Sequence, residues 1–328
     1  MSWLLSTLFP SMNYQEVNMT FLKPFIVEAD PSNGFVILNK YIPEEILLKI
    51  FTYLDPKDIL KCSLVCKTWF NITRSNILWH EIYNLKEHST RAKNLPWYVF
   101  YNYLTTENYT NLIKNGNGEE QFNHWTIVSN GGDGFIIENE PVGSDPLPQG
   151  VPEFHGHTSC FATSFYDCCK YQKIDLSNKR LLKHIINRYK PSIYLSEWFA
   201  GRFDCSCIYK LGVVVNSVNH KWKSGEQRRF HHWRERNNHK LSNSPFYLDI
   251  NRTVESFQGK EWEKVELVYN NYSPYKIDSI GFVHGGRDDQ FWKGHYGSKM
   301  AGGVLKFDFA SIQPLPEDES FSAEMCSD

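Results

Sequence analysis

Apolar and polar positions along the chain follow two different periods. Between residues 41 and 85 the large apolar side chains recur at helical spacing. Ile46, Leu47, Ile50, Phe51 and Leu54 form one run, and Ile59, Leu60, Leu64 and Val65 a second. Each run follows a start signal. Pro43 is followed by Glu44 and Glu45, acids suited to the first turn of a helix. Asp55 can cap, Pro56 fits the first helical position, and Asp58 falls in the first turn. Trp69, Phe70, Ile72, Ile77, Leu78, Trp79 and Ile82 extend the series. So small a helical unit cannot bury this many large apolar groups alone, so the surplus predicts a partner surface or packing on the rest of the chain.

From about Trp97 the period becomes that of strands. Leu305 and Phe307 alternate with Lys306 and Asp308, Val265, Leu267 and Tyr269 share one parity, and Cys207–Val215 is rich in β-formers. Gly131-Gly132-Asp133-Gly134, His284-Gly285-Gly286 and Ala301-Gly302-Gly303 read as turns between strands. Pro141, Pro146, Pro148 and Pro152 mark a long surface loop. Leu182, Ile185, Ile186 and Tyr189 predict one helix, ended by Lys190-Pro191 and lying on a sandwich edge. The expected fold class is α+β multidomain: a small all-helical domain, then an antiparallel, jelly-roll-like β-sandwich with an edge helix. Expected boundaries are a flexible arm over 1–38, helices over 39–86, linker and sandwich over 87–312, and an acidic tail over 313–328.

Composition narrows the function. The 328 residues carry a formal charge of -2, which excludes a dominantly basic nucleic-acid binder at whole-chain level. The basic, aromatic stretch 220–240 reads as a solvated hairpin. No run of apolar residues is long enough to span a bilayer, and the N-terminal run lacks the flanks of a signal peptide. Eight cysteines without such a signal are expected to be reduced thiols. Cys62 and Cys66 lack further ligands, so no metal and no cofactor is expected. Hydrolase, protease and nucleotide-binding motifs are all absent. Asp288 and Asp289 are adjacent and would face opposite sides of a strand, a poor arrangement for glycoside cleavage.

Two stretches then point to a family. Ile42-Pro43-Glu44-Glu45-Ile46, Ile50-Phe51-x-x-Leu54-Asp55-x-x-Asp58-Ile59-Leu60 and Val65-Cys66-x-x-Trp69 closely resemble an F-box. The resemblance implies docking to the Skp-type adaptor and cullin scaffold of a ubiquitin ligase, through Pro43, Ile46, Leu47, Ile50, Phe51, Leu54, Leu60, Val65, Cys66 and Trp69. Further on, Asn130-Gly131-Gly132-Asp133-Gly134-Phe135, Cys160-Phe161-Ala162-Thr163-Ser164-Phe165, Trp198-Phe199-Ala200-Gly201-Arg202 and His284-Gly285-Gly286-Arg287-Asp288 resemble the F-box-associated domain of the sugar-recognising F-box proteins. That likeness implies a β-sandwich whose loops grip the inner chitobiose of high-mannose N-glycans.

Carried over residue by residue, one sugar-binding loop is Asp204-Cys205-Ser206, bulkier than the Ala-Gly usual after the Asp. The other is Phe291-Trp292-Lys293, with a ring but no phenol at the first position. Phe161 matches a pocket aromatic. Rings can stack on the C–H face of a pyranose while Asp204 accepts from hydroxyls and Lys293 donates. Both Phe291 and Trp292 can face outwards only from a loop. The expectation is a non-catalytic cytoplasmic receptor for misfolded glycoproteins, without membrane insertion or nucleic acid. The alternative is a ligase receptor that reads a protein or peptide surface. A stand-alone carbohydrate enzyme is disfavoured.

Overall fold

The structure is a computed structural model that describes residues 34–37, 40–88, 93–217, 246–254, 259–270, 272 and 276–316. Most of the N-terminal arm, the basic stretch 220–240 and the tail beyond 316 lie outside the described residues. The chain divides into two compact units between Thr73 and Arg74.

The first unit pairs β1 (Val36–Ile37) with β2 (Lys40–Tyr41) and continues as three short helices, α1 (Glu44–Thr52), α2 (Pro56–Cys62) and α3 (Lys67–Ile72). The start signals act as expected. Glu44 and Glu45 occupy the first turn of α1, and the Asp55 side chain accepts the Lys57 amide at 2.8 Å with Pro56 opening α2. Cys66 caps α3, its Sγ accepting from the Trp69 amide. Trp69 packs edge-on against Phe51, ring centroids 5.1 Å apart, and its indole donates to the Gly34 carbonyl at 2.6 Å.

The second unit opens with α4 (Asn76–Lys86) and α5 (Trp97–Thr105). Residues 97–105 are therefore helical, although the sequence reading placed the change to strands there. Pro96 precedes the helix, and Val99, Phe100 and Tyr103 fall on one helical face although aromatic residues are also good strand formers. Trp79 meets Tyr101 edge-on at 5.5 Å, and Tyr103 lies 4.1 Å from Phe309.

Two five-stranded sheets follow, every neighbouring pair antiparallel. One has the order β10 (Glu263–Tyr269), β7 (Ile193–Ala200), β12 (Lys299–Phe307), β5 (Cys160–Ala162), β4 (Ile136–Glu138). The other runs β3 (Thr126–Asn130), β6 (Cys168–Asp175), β11 (Ile277–Asp288), β8 (Cys207–Ser217), β9 (Phe246–Val254). Helix α6 (Arg180–Tyr189) joins β6 to β7, burying Leu182, Ile185, Ile186 and Tyr189 and ending at a left-handed Lys190.

Two of the three glycine motifs are not turns. Gly285 and Gly286 sit inside β11, where a Cβ would lie 2.1 Å from the Cys168 carbonyl oxygen and 2.2 Å from that of Ile208. They are required by close strand approach rather than by reversal. Gly302, at φ +66°, forms a bulge within β12, where the register with β7 slips between Ala301 and Val304. The proline-marked segment is likewise more than a surface loop. Leu147 and Phe154 are buried with Cys160, Ala200, Trp262 and Ala301 as a second small core on the outer face of the first sheet.

Between the sheets lies a polar chain with no exposure. Lys170 hydrogen-bonds His284 Nε2, His284 Nδ1 meets Glu197 at 2.6 Å, and the Tyr209 hydroxyl donates to Glu197 at 2.6 Å. Trp125 stacks on His284 at 4.4 Å, and the Phe161 ring lies 3.2 Å from the Lys170 ammonium. Burial drives each group towards its neutral form: His284 and Lys170 well down, Glu197 up to about 8.

Candidate functional site

The topology gathers loops at one end. β3 to β4, β5 to β6, β7 to β8 and β11 to β12 each pass from one sheet to the other, and register fixes the crossings at the same level. Cys207 pairs with Asp288, Gly286 with Cys168, and Lys299 with both Ala162 and Ala200. The segments 131–135, 163–167, 201–206 and 289–298 therefore share one rim.

In the 201–206 loop, Arg202 forms a fork with Asp204, Nε to Oδ1 at 2.9 Å and Nη2 to Oδ2 at 3.1 Å. The guanidinium holds the Asp204 carboxyl below its ordinary range. Arg202 also donates to the Val142 carbonyl at 3.1 Å and lies 4.4 Å from the Tyr296 ring centroid. Glu138 continues this scaffold, accepting from the Val142 amide at 2.7 Å and from the buried Lys299 at 2.6 Å. Asp204 is thus an ionised acceptor in a fixed orientation, its side chain 28% exposed.

The 289–298 loop begins with a cap. Asp288 is fully buried, and its Oδ1 accepts the Phe291 amide. Phe291 has φ +59°, a left-handed conformation that costs a non-glycine residue about 1–2 kcal/mol. The turn leaves the adjacent rings of Phe291 and Trp292 each 47% exposed, the outward placement that only a loop permits. Trp292 stands edge-on to Tyr296 at 5.8 Å, and Phe291 lies 5.7 Å from Tyr166. Burial pushes the Asp288 carboxyl up against the backbone amides that hold it down.

Of the expected sugar-binding residues, Asp204, Phe291, Trp292 and Lys293 reach the rim with some or all of the side chain open. Cys205 does not. It is fully buried, and burial raises its thiol to about 11, so it is packing beneath the loop. Ser206 joins the two loops through its carbonyl, which accepts the Asp289 amide at 3.0 Å. Phe161 is core, fully buried over Lys170. The sequence reading missed Asp288 as a cap, and Tyr166 and Tyr296 as neighbours of the rim rings. An Asp three residues before an aromatic pair was the available signal for the cap. Tyr166 is brought in from a different loop, whereas Tyr296 follows Trp292 by four residues within the same loop.

In the first unit, the expected docking residues divide by helical face. Ile46, Ile50 and Val65 are exposed at 52%, 42% and 63%, and Pro43 is exposed too. Leu54, Leu60, Cys66 and Trp69 are half-buried. Leu47 and Phe51 are buried at 0% and 1%, so they stabilise the fold rather than offer a surface. They lie four residues apart on a stripe of the helix about 100° round from that of Ile46 and Ile50. Tyr53 and Leu64, at 79% and 70% exposure, enlarge the apolar face beyond the expected set. Among the described residues there is no cluster able to hold a metal ion, and no helix is long and apolar enough to cross a membrane.

Comparison with known proteins matches both parts of the chain, the F-box match extending past Thr73 to include α4 of the second unit. A family model described as F-box associated region matches residues 103–306, and one described as F-box-like matches residues 40–85. F-box only protein 6 of Rattus norvegicus is 28% identical over 291 residues, covering 85% of this chain and 92% of the relative. F-box only protein 44 of Homo sapiens is 28% identical over 265 residues, covering 79% and 92%. F-box only protein 2 of Bos taurus is 26% identical over 284 residues, covering 83% and 84%. Among solved structures, the C-terminal family 22 carbohydrate binding module of Clostridium thermocellum Xyn10B overlaps 63% of this chain and 98% of that one. Its 7% identity and TM-score of 0.34 make it a distant likeness only. A helical F-box followed along the same chain by a sandwich matching the F-box associated region places the protein in the family of F-box only proteins with an F-box associated region, substrate-recognition subunits of Skp–cullin–F-box ubiquitin ligases.

Proposed function

We propose that the rim of the second unit binds the inner chitobiose of high-mannose N-glycans, so that the chain selects misfolded glycoproteins in the cytosol for ubiquitination. The observation that carries this reading is the adjacent pair Phe291 and Trp292, both turned outwards from the loop that Ser206 ties to the Asp204 loop. Rings offer C–H stacking, and a carboxylate already ionised by Arg202 accepts charge-assisted hydrogen bonds from sugar hydroxyls. The role is binding without catalysis. Asp288 is buried and engaged with its own turn, so it is not a solvent-facing acid opposite Asp204, and acid–base cleavage of a glycoside needs two carboxylates flanking the bond. In the first unit, Ile46, Ile50, Tyr53, Leu64 and Val65 supply the apolar face for the Skp-type adaptor, which carries the cullin scaffold.

A second reading keeps the ligase role and replaces the glycan by a protein or peptide surface. It is favoured by Val142 and Phe203, exposed at 55% and 51% beside the Arg202 loop. A glycan array probed with the full chain separates the two. Selective retention of chitobiose-containing glycans supports the first, and a folded chain that ignores them at millimolar concentration rejects it.

A further inference from the structure

Helix α6 lies at the end of the sandwich opposite the rim and carries a face that glycan binding does not use. The rim is at the Cys168 end of β6 and the Ala200 end of β7, whereas α6 leaves the Asp175 end of β6 and enters β7 at Ile193. Asn187 fixes it to the start of β11, donating to the Ile277 carbonyl at 3.1 Å and accepting the Ile277 amide at 2.7 Å. With Leu182, Ile185, Ile186 and Tyr189 turned inwards, the other stripe of the helix reads Arg180, Lys183, His184, Asn187 and Arg188. It holds no acid, and Lys179 and Lys190 continue it at either end.

Local helix stability does not account for this charge. Lys179 and Arg180 stand at the N-terminus, where the helix dipole disfavours cations, and the first turn contains no acid to offset them. Further cations come from neighbouring elements. Burial and then the charge of Lys114 lower the pKa of the Lys179 ammonium, and burial and then the charge of Lys276 lower that of Lys190. Lys173 adds another from β6. Acids offset only part of this: Asp278 pairs with Lys183, Asp175 lies 3.8 Å from Lys173, and Glu107 acts on Lys179. Positive charge therefore dominates this end of a chain whose total charge is -2.

The layout selects the kind of anion. The helix is about 15 Å long, and its cations follow one stripe rather than converge on a point, so the face suits negative charge spread over a surface. Tyr189 is buried, and its hydroxyl meets that of Tyr98 at 3.2 Å, so α6 offers no open tyrosine ring for a nucleic-acid base to stack on. A cluster of cations along one exposed helical face is the pattern that recognises anionic lipid headgroups.

We propose that the basic stripe of α6, with Lys114 and Lys276 beside it, docks the protein on an anionic phospholipid surface and leaves the rim at the far end of the sandwich open. The contact is peripheral. The apolar face of α6 is occupied by the sandwich, so the attraction is electrostatic and nothing enters the hydrocarbon. It does not depend on what the rim binds.

Flotation of the full chain with vesicles tests this. Phosphatidylcholine vesicles containing phosphatidylserine should carry the chain, pure phosphatidylcholine vesicles should not, and binding should weaken as salt is raised. Lys114→Gln, Arg180→Gln and Lys276→Gln are each expected to lower affinity about fivefold, and Arg180→Lys to bind like the wild type. Thermal melts and co-purification with a Skp-type adaptor should be the same for all. A wild-type chain that ignores the anionic vesicles at low salt, or a triple Gln variant that binds them equally well, overturns the proposal. Tighter binding to polyuridylate or to polyglutamate than to the anionic vesicles overturns it in favour of a nucleic acid or an acidic protein.

Discussion

Asp288 accepts the backbone amide of Phe291 three residues ahead of it, and this contact sets the direction of the ring pair. It holds Phe291 in a left-handed conformation that places two consecutive rings outside. Asp288→Ala removes the acceptor, and the turn is then expected to relax, with glycan affinity falling at least tenfold. Asp288→Asn keeps an acceptor oxygen at the same place and should retain most of the binding. Titration of both variants checks this, with thermal melts confirming that each keeps the fold.

Direct contacts give a steeper prediction. Trp292→Ala should abolish glycan binding, and Phe291→Tyr should leave it unchanged or improved. Asp204→Ala removes a charge-assisted acceptor contributing about 1.5–3 kcal/mol and also frees Arg202, so a loss of roughly tenfold or more is expected. The melting temperature should stay near that of the wild type, because Asp204 is partly open and its pair with Arg202 adds little stability at a solvated rim.

The helical unit makes a prediction that separates surface from core. Ile46→Asp with Ile50→Asp places charges on the exposed face and should abolish co-purification with a Skp-type adaptor while the fold persists. Leu47→Ala acts on a fully buried side chain and should destabilise the unit by about 2–5 kcal/mol. A double Asp variant that still binds the adaptor would reject the assigned face.

The buried chain Lys170, His284, Glu197 and Tyr209 predicts a pH effect on stability. Glu197 titrates near 8 in the fold against an ordinary value of 4.5. The folded state therefore binds the extra proton, and this contribution is full below about 4.5 and lost as pH rises through 8. His284 is shifted down by burial and by Lys170, so its contribution is full above 6.5 and lost as the solution is acidified. Glu197→Gln removes only the first slope. The stability of the wild type relative to this variant should fall steadily from pH 5 to pH 8 in denaturant titrations, and a flat difference would show that Glu197 does not titrate in that range.

Much of this was legible in the sequence because it depends on local spacing. Pro43 with two acids, and Asp55 with Pro56, specify helix starts within a single turn. Alternation of Leu305, Lys306 and Phe307 specifies a strand without reference to its neighbours, and the helix over Leu182–Tyr189 follows from four positions and one proline. What only the tertiary structure decided depends on residues distant along the chain. Gly285 and Gly286 look like a turn until Cys168 and Ile208 are brought against them, when the missing Cβ becomes a requirement of strand packing. Cys205 and Trp292 both follow a candidate binding residue, yet one is buried and the other open, because the turn capped by Asp288 has no counterpart at Asp204. Tyr166 joins Phe291 across 125 residues of chain solely because their loops cross between the sheets at the same end. Periodicity records which face of its own helix or strand a side chain takes, whereas a binding rim is set by which strand ends coincide, and that follows from register between strands far apart in the chain.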